Sequence, residues 1–187
     1  RVWSAYNGVE MYQIPLKAPG TAVAFSNDDQ TLITGDAEGH LDLWDISGLT
    51  SPIGYTEMSK LALISKFTPT GNQLILSDPN QVWALNQPNI TQLAGSLPVS
   101  PIFDPPRGNI QDIVVSPDSQ SIAVATDGGE YYIQNLQTRS FERVIPSGGS
   151  EASALAFTPD GLLLITGSND GTLETWDVKT GEGSAGK

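Results

Sequence analysis

The fold class predicted by this sequence is an all-β chain of repeated four-stranded antiparallel units, and three observations predict it. Short alternating apolar runs recur at a spacing near 40 residues. Those runs carry period-2 rather than helical patterning, so each reads as a strand. Nineteen glycines and thirteen prolines are spread through the 187 residues and fall between the runs, where turns are needed.

The repeat becomes visible when four stretches are laid over one another. They are TAVAFSNDDQTLITGDAEGHLDLWDISG from Thr21, LISKFTPTGNQLILSDPNQVWALNQP from Leu63, DIVVSPDSQSIAVATDGGEYYIQNLQT from Asp112, and SALAFTPDGLLLITGSNDGTLETWDVKTG from Ser153. Phe25, Phe67, Val115 and Phe157 mark one slot, 42, 48 and 42 residues apart. Trp44, Trp83, Ile133 and Trp176 are read as a second slot, 19, 16, 18 and 19 residues further on.

Each copy reads as three strands with an outer strand after it. In the last copy Ala154–Phe157 forms the inner strand, Leu162–Thr166 the second and Thr172–Val178 the third. Thr158-Pro159-Asp160-Gly161 and Asn169-Asp170-Gly171 are the turns between them, where fixed or positive φ is useful and no ladder donor is lost. Outer strands are expected at Glu10–Leu16, Pro52–Met58 and Ser140–Pro146.

On the residues Trp44-Asp45 and Trp176-Asp177, the AFS and AFT runs with their polar turns, and the Asp170-Gly171 turn, the chain resembles the WD-repeat β-propeller family. The likeness is strong over Thr21–Gly48 and Ser153–Gly181 and weak in the two middle copies. It implies that Trp3, Trp44, Trp83, Trp176, Asp45, Asp170 and Asp177 are structural residues of blades. In the family a Ser or Thr, the turn Asp and the Trp often share a network with a His ahead of the inner strand. Thr166 or Ser168, Asp170 and Trp176 fit those slots here, but the only histidine, His40, stands in the turn before a third strand.

The predicted organisation is one propeller segment. Residues 1–20 end a first blade, with Trp3 in the tryptophan slot; blades follow at 21–60, at 61–110 with a Pro-rich insert, and at 111–150. An incomplete blade occupies 151–182 and a flexible tail 183–187, the end of the small polar run GEGSAGK. The expectation is seventeen strands and an arc of a larger propeller, with the inner strands of the first blade lying upstream of Arg1. A small ring of four or five blades and two arcs closing one ring are the rivals.

Composition excludes several functions. With 39% hydrophobic and 16% charged residues the chain is not of the disordered class, and a net charge of −12 repels a phosphate backbone, so no nucleic acid is expected as partner. No apolar run approaches the roughly 20 residues a spanning helix needs, so no membrane insertion is expected. Between Lys17 and Lys60 there is no cation, while Asp28, Asp29, Asp36, Glu38, Asp42, Asp45 and Glu57 all fall there. That run reads as a solvated edge or as a docking face for a basic partner.

No catalytic constellation rises above background. There is no cysteine, a single histidine cannot form a metal cluster, and Ser26 and Ser116 sit in turns without a histidine base. The spacing of Asp36, Glu38 and Asp42 matches no calcium loop. No cofactor and no metal are expected. The expected function is a non-catalytic protein-interaction or assembly scaffold, with protein partners and self-association to close a ring as a further option. A propeller hydrolase or lyase with carboxylates near the central channel and a purely structural spacer are the alternatives. Candidate contact residues are Gln111, Thr126, Glu151 and Asn169 at strand ends, Phe103 in the insert Leu97–Asn109, and one ring of the Tyr131-Tyr132 doublet.

Overall fold

In the computed structural model the described residues are 1–48, 52–57, 64–71, 73–86, 100–103, 105, 107–148 and 150–186. They form eighteen strands and a single 3-10 turn at Ile46–Gly48. β1 (Val2–Trp3) and β2 (Glu10–Tyr12) make a two-stranded sheet. Four four-stranded antiparallel blades follow. The first is β3 (Gly20–Phe25), β4 (Thr31–Asp36), β5 (His40–Asp45) and β6 (Gly54–Glu57). The second is β7 (Ile64–Phe67), β8 (Gln73–Ser77), β9 (Val82–Asn86) and β10 (Ser100–Phe103). The third is β11 (Ile110–Val115), β12 (Ser121–Thr126), β13 (Glu130–Asn135) and β14 (Phe141–Pro146). The fourth is β15 (Ala152–Phe157), β16 (Leu163–Ser168), β17 (Leu173–Asp177) and β18 (Gly183–Gly186).

Alternation explains how the blades stack. In the first blade Ile33, Leu41 and Leu43 point one way, onto Leu74, Leu76, Trp83 and Leu85 of the second. Leu32 and Trp44 point the other way, onto Val2, Tyr12, Ile14 and Leu16. The second and third blades meet through Ile75, Val82, Ile102, Ile113, Ile122 and Tyr132; the third and fourth through Ala123, Tyr131, Ile133, Ile145, Leu155 and Leu164. Each fully buried aliphatic side chain contributes about 1.5–3 kcal/mol relative to exposure.

The sheets do not close into a ring. The fourth blade presents Ile165 and Leu173 at 38% and 59% exposure, where Ile33 and Leu41, in the same register positions of the first blade, are both at 0%. At the other end Val23 and Phe25 are exposed beside the two-stranded sheet.

Three expectations need correction. Residues 183–186 of the expected tail pair with β17 as the outer strand of the last blade. Small residues suit that place, because a side chain at Gly183 would collide with the Trp176 ring lying over it. Second, Ser100–Phe103, inside the expected insert, supplies the outer strand of the second blade. Residues 97–99, 104 and 106 of that stretch, including Pro98 and Pro106, lie outside the described residues, as does Met58 of an expected outer strand.

Third, the second slot is misaligned in the middle copies. Trp44 lies opposite Leu32 and Trp176 opposite Leu164; the residues in that register position of the second and third blades are Leu85, opposite Leu74, and Gln134, opposite Ile122. Trp83 stands two residues before Leu85, on the same face, and Ile133 faces the opposite way. Trp44 Nε1 donates to Thr34 Oγ1 at 2.9 Å and Trp176 Nε1 to Thr166 Oγ1 at 3.0 Å. In the other two blades the threonine position holds Leu76 and Val124, so donor and acceptor are absent together. Gln134 instead donates to Ile102 O and Arg139 O.

Leu41→Ala is expected to cost about 2–5 kcal/mol, because it leaves a cavity between blades. Leu173→Ala, in the same register position of the last blade, is expected to stay within about 0.5 kcal/mol. Urea denaturation of both variants measures the difference.

Candidate functional site

The end of the blades where inner strands begin carries a frame built three times. Ala37 N donates to Pro19 O at 2.9 Å, Asp127 N to Asn109 O at 3.0 Å and Asn169 N to Glu151 O at 3.0 Å. Each bond ties the turn after a second strand to the residue that precedes the inner strand of the same blade. One step further along each inner strand the register shifts, between Gly20 and Ala22, Ile110 and Asp112, and Ala152 and Ala154. Such bulges re-aim a side chain at the rim of a sheet. Gln111 is the bulged residue of the third blade and is exposed.

The side chains on this frame differ from blade to blade. Asn169 Nδ2 donates to Glu151 Oε2 at 2.6 Å, and Asn109 donates from its backbone and side chain to the two oxygens of Asp127 at 2.6 and 2.9 Å. Adding the 42-residue period to Asn109 and Asp127 gives Glu151 and Asn169, so the repeat itself carried the signal for the second pair.

Sequence reasoning brings Gln111, Glu151 and Asn169 to this face, all exposed. The other candidates are covered. Thr126 is at 0% exposure, its hydroxyl donating to Glu130 O at 3.2 Å. Tyr131 and Tyr132 do point to opposite sides, but the third blade has a neighbour on each, so both are at 1%. Tyr131 donates its hydroxyl to Gly167 O at 2.7 Å, and burial pushes its pKa up. Burial, with the Glu130 carboxylate that accepts its hydroxyl, pushes Tyr132 up to about 12. Phe103, at 4%, does not stand out as an anchor: on β10 it packs edge-on against Tyr132 and Phe141, centroids 5.6 and 5.4 Å away.

The aspartates of the repeat are turn formers. Asp45 Oδ1 accepts from Ser47 N and Oγ, Asp170 Oδ1 from Ser168 Oγ and Thr172 N, and Asp177 Oδ1 from Thr180 N. These donors hold all three carboxyls below the ordinary range, the Ser47 hydroxyl leading for Asp45 and the Thr172 and Thr180 amides for the other two. His40 has an unforeseen partner: its Nδ1 lies 3.0 and 3.1 Å from the oxygens of buried Asp36. Burial pushes Asp36 up, but the amides of His40 and Glu38 and the His40 ring outweigh it, and the net direction is down.

On the inner strand β11 one carboxylate bridges the blades. Asp112 accepts Leu155 N at 2.9 Å and its neighbour Ile113 N at 2.8 Å, with Lys66 Nζ at 3.5 Å; Lys66 also donates to Ile113 O. The three inner strands β7, β11 and β15 are clasped through it. Among the described residues no group of three or more His, Cys, Asp or Glu could hold a metal ion.

A family model, the WD domain, G-beta repeat, matches residues 20–45 and 142–177. Those two matches mark WD repeats in the first blade and across the third and fourth, and the chain's likeness is to the WD-repeat β-propeller family. Among relatives, Telomerase protein component 1 of Rattus norvegicus is 36% identical over 59% of the chain and 4% of its own length. The Protein LST8 homolog of Drosophila melanogaster is 24% identical over 83% of the chain and 50% of its own length. The crystal structure of the Cps50 (Swd1) β-propeller domain of Myceliophteria thermophila superposes with a TM-score of 0.77 at 14% identity, covering 94% of this chain and 58% of that one. The chain thus spans half or less of these two relatives. WD-repeat propellers generally bind protein partners, and the WD-repeat relatives are generally non-enzymatic scaffolds.

A pH dependence follows from the lowered carboxyls. Their folded values lie below the unfolded ones, so the stability they contribute is complete above the ordinary carboxylate range near 4 and is lost as pH falls through the folded values. Asp118 is one of them: it accepts Ser116 Oγ at 2.6 Å and Gln120 N at 3.0 Å, and those bonds hold it low against burial. Asp118→Ala is expected to flatten the loss of stability below about pH 4, read by chemical denaturation at stepped pH.

Proposed function

We propose that this chain is a non-catalytic protein-interaction scaffold of the WD-repeat type, and that its contact surface is the face carrying Gln111, Glu151 and Asn169, together with Asn109 and Asp127. The observation that carries the reading is the thrice-built backbone frame with changing side chains on it. A fixed frame holds a contact surface in one geometry before binding, which lowers the ordering cost of association. Varied exposed side chains on that frame supply specificity, as loops on rigid scaffolds do.

The chemistry of the face favours a partner segment rich in donors and basic groups. Glu151 and Asp127 present carboxylates there, and the net charge of −12 attracts a cationic partner from a distance. Asp112, on the inner strand β11, is held by a backbone amide of the next blade and by Lys66. Nothing in that arrangement favours the hydrolase or lyase alternative.

A photo-crosslinking residue at position 111 is expected to capture a protein partner from source extract, and the same group at Thr180, on the opposite face, to capture none. Glu151→Ala with Asn169→Ala is expected to reduce capture at 111 about tenfold while leaving the denaturation midpoint unchanged. Equal capture from both positions would sink the assignment of the face.

A further inference from the structure

The register position shared by Phe25, Phe67, Val115 and Phe157 is aromatic in the first, second and fourth blades and valine in the third, and a cleft opens there. Its volume is about 450 Å³, and it lies where the inner strands β7, β11 and β15 end. Phe67, Val115 and Phe157 all line it. Three turn prolines join them, Pro69, Pro117 and Pro159, each two residues further along its blade.

The rim is fixed by bonds between blades. Asn27 Nδ2 donates to Thr68 O at 3.0 Å and to Pro69 O, and Thr70 N donates to Ser119 Oγ at 3.0 Å. Proline side chains have almost no rotamer freedom to lose, so a ligand meets a surface that needs little ordering. Among the described residues the only charged one lining the cleft is Lys66, which stands where the other blades carry Ala24, Val114 and Ala156. Its ammonium donates to Ile113 O and lies 3.5 Å from Asp112 Oδ1, while the oxygens of Asp112 also accept the Ile113 and Leu155 amides. An ammonium has three donors, so one is left over on this partly exposed side chain.

We infer that this cleft binds a small aromatic carboxylate. The ring sits beside Val115, where the repeat has left out a phenyl group, against Phe67, Phe157 and the proline rings; the carboxylate accepts the remaining Lys66 donor. A cleft of this size, lined by apolar side chains with one placed polar group, has the composition of a small-molecule site. A carboxylate on an ammonium also makes a stronger bond than a neutral acceptor does. A dianion such as phosphate is the poorer occupant, since it leaves the apolar lining uncovered and meets the net charge of −12 with twice the repulsion. The cleft lies at the end of the blades opposite Gln111, Glu151 and Asn169, so the site does not rest on the contact face proposed above.

The probes are naphthoate and its carboxamide, titrated against the 187-residue chain and followed by the methyl resonances of Val115. The acid is expected to bind saturably and about tenfold more tightly than the amide, the effect of exchanging a charge-assisted hydrogen bond for a neutral one. Val115→Phe puts the missing ring into the cleft and is expected to abolish binding. Lys66→Gln is expected to bring acid and amide to equal affinity without abolishing either. Phe25→Asp, at an exposed apolar position outside the cleft, is expected to leave binding unchanged. Circular dichroism verifies that the variants fold, and the comparison of acid with amide stands on the unaltered chain alone. No saturable binding, binding indifferent to Val115→Phe, or equal affinity of the unaltered chain for acid and amide overturns the inference. So does capture of a protein by a photo-crosslinking residue at position 159, which would assign the cleft to a partner's side chain.

Discussion

Each sheet in this protein is apolar on both faces, and that constraint governs everything else. A sheet with one wet face can alternate apolar and polar residues; here Leu32 and Ile33, adjacent on β4, point to opposite faces and both are buried. Such a sheet is stable only between two neighbours. The structure therefore grows by stacking, with each interface made by the outgoing face of one blade and the incoming face of the next. The apolar residues at its two ends are exposed for the same reason that their counterparts inside are covered.

Stacking also explains why the proposed contact face is polar and local. With both sheet faces consumed by packing, only strand ends and turns remain for recognition. The hydrogen bonds that stiffen those turns are repeated, whereas the side chains they carry are free to change. Lys66 and Asp112 follow the same logic at the inner edge, where the free N–H and C=O of inner strands need partners, and a charged pair reaching from blade to blade supplies them.

Most of the architecture was legible because the repeat is legible. Phe25, Phe67, Val115 and Phe157 do share one register position, opposite Leu32, Leu74, Ile122 and Leu164. The second slot failed in the middle copies for a physical reason. Trp83 and Leu85 are two apart and so face the same way, and tryptophan identity outweighed spacing. Ile133 was preferred to Gln134 because it is apolar, yet a buried glutamine is stable when its amide finds carbonyls such as Ile102 O. The last strand was missed because GSAG carries no β-branched or aromatic signal, although its backbone pairs with β17. The exposure of Gln111, Glu151 and Asn169 at strand ends was legible from the repeat, whereas Thr126, also at a strand end, is buried. Exposure was misread where it was inferred from aromatic character, since Tyr131, Tyr132 and Phe103 answer to the packing between blades.

The loss of the Thr–Trp hydrogen bond in the two middle blades shows which term the fold can do without. A buried indole with no acceptor, or a buried threonine with no donor, leaves a polar group unsatisfied at a cost of about 1–3 kcal/mol. Replacing both by apolar groups avoids that cost and keeps the contact area, as Leu76 with Leu85 does. The pair is therefore kept whole or lost whole, while apolar contact between blades persists at each interior interface described. Packing of sheet on sheet is the requirement, and the tryptophan network is one of several ways of meeting it.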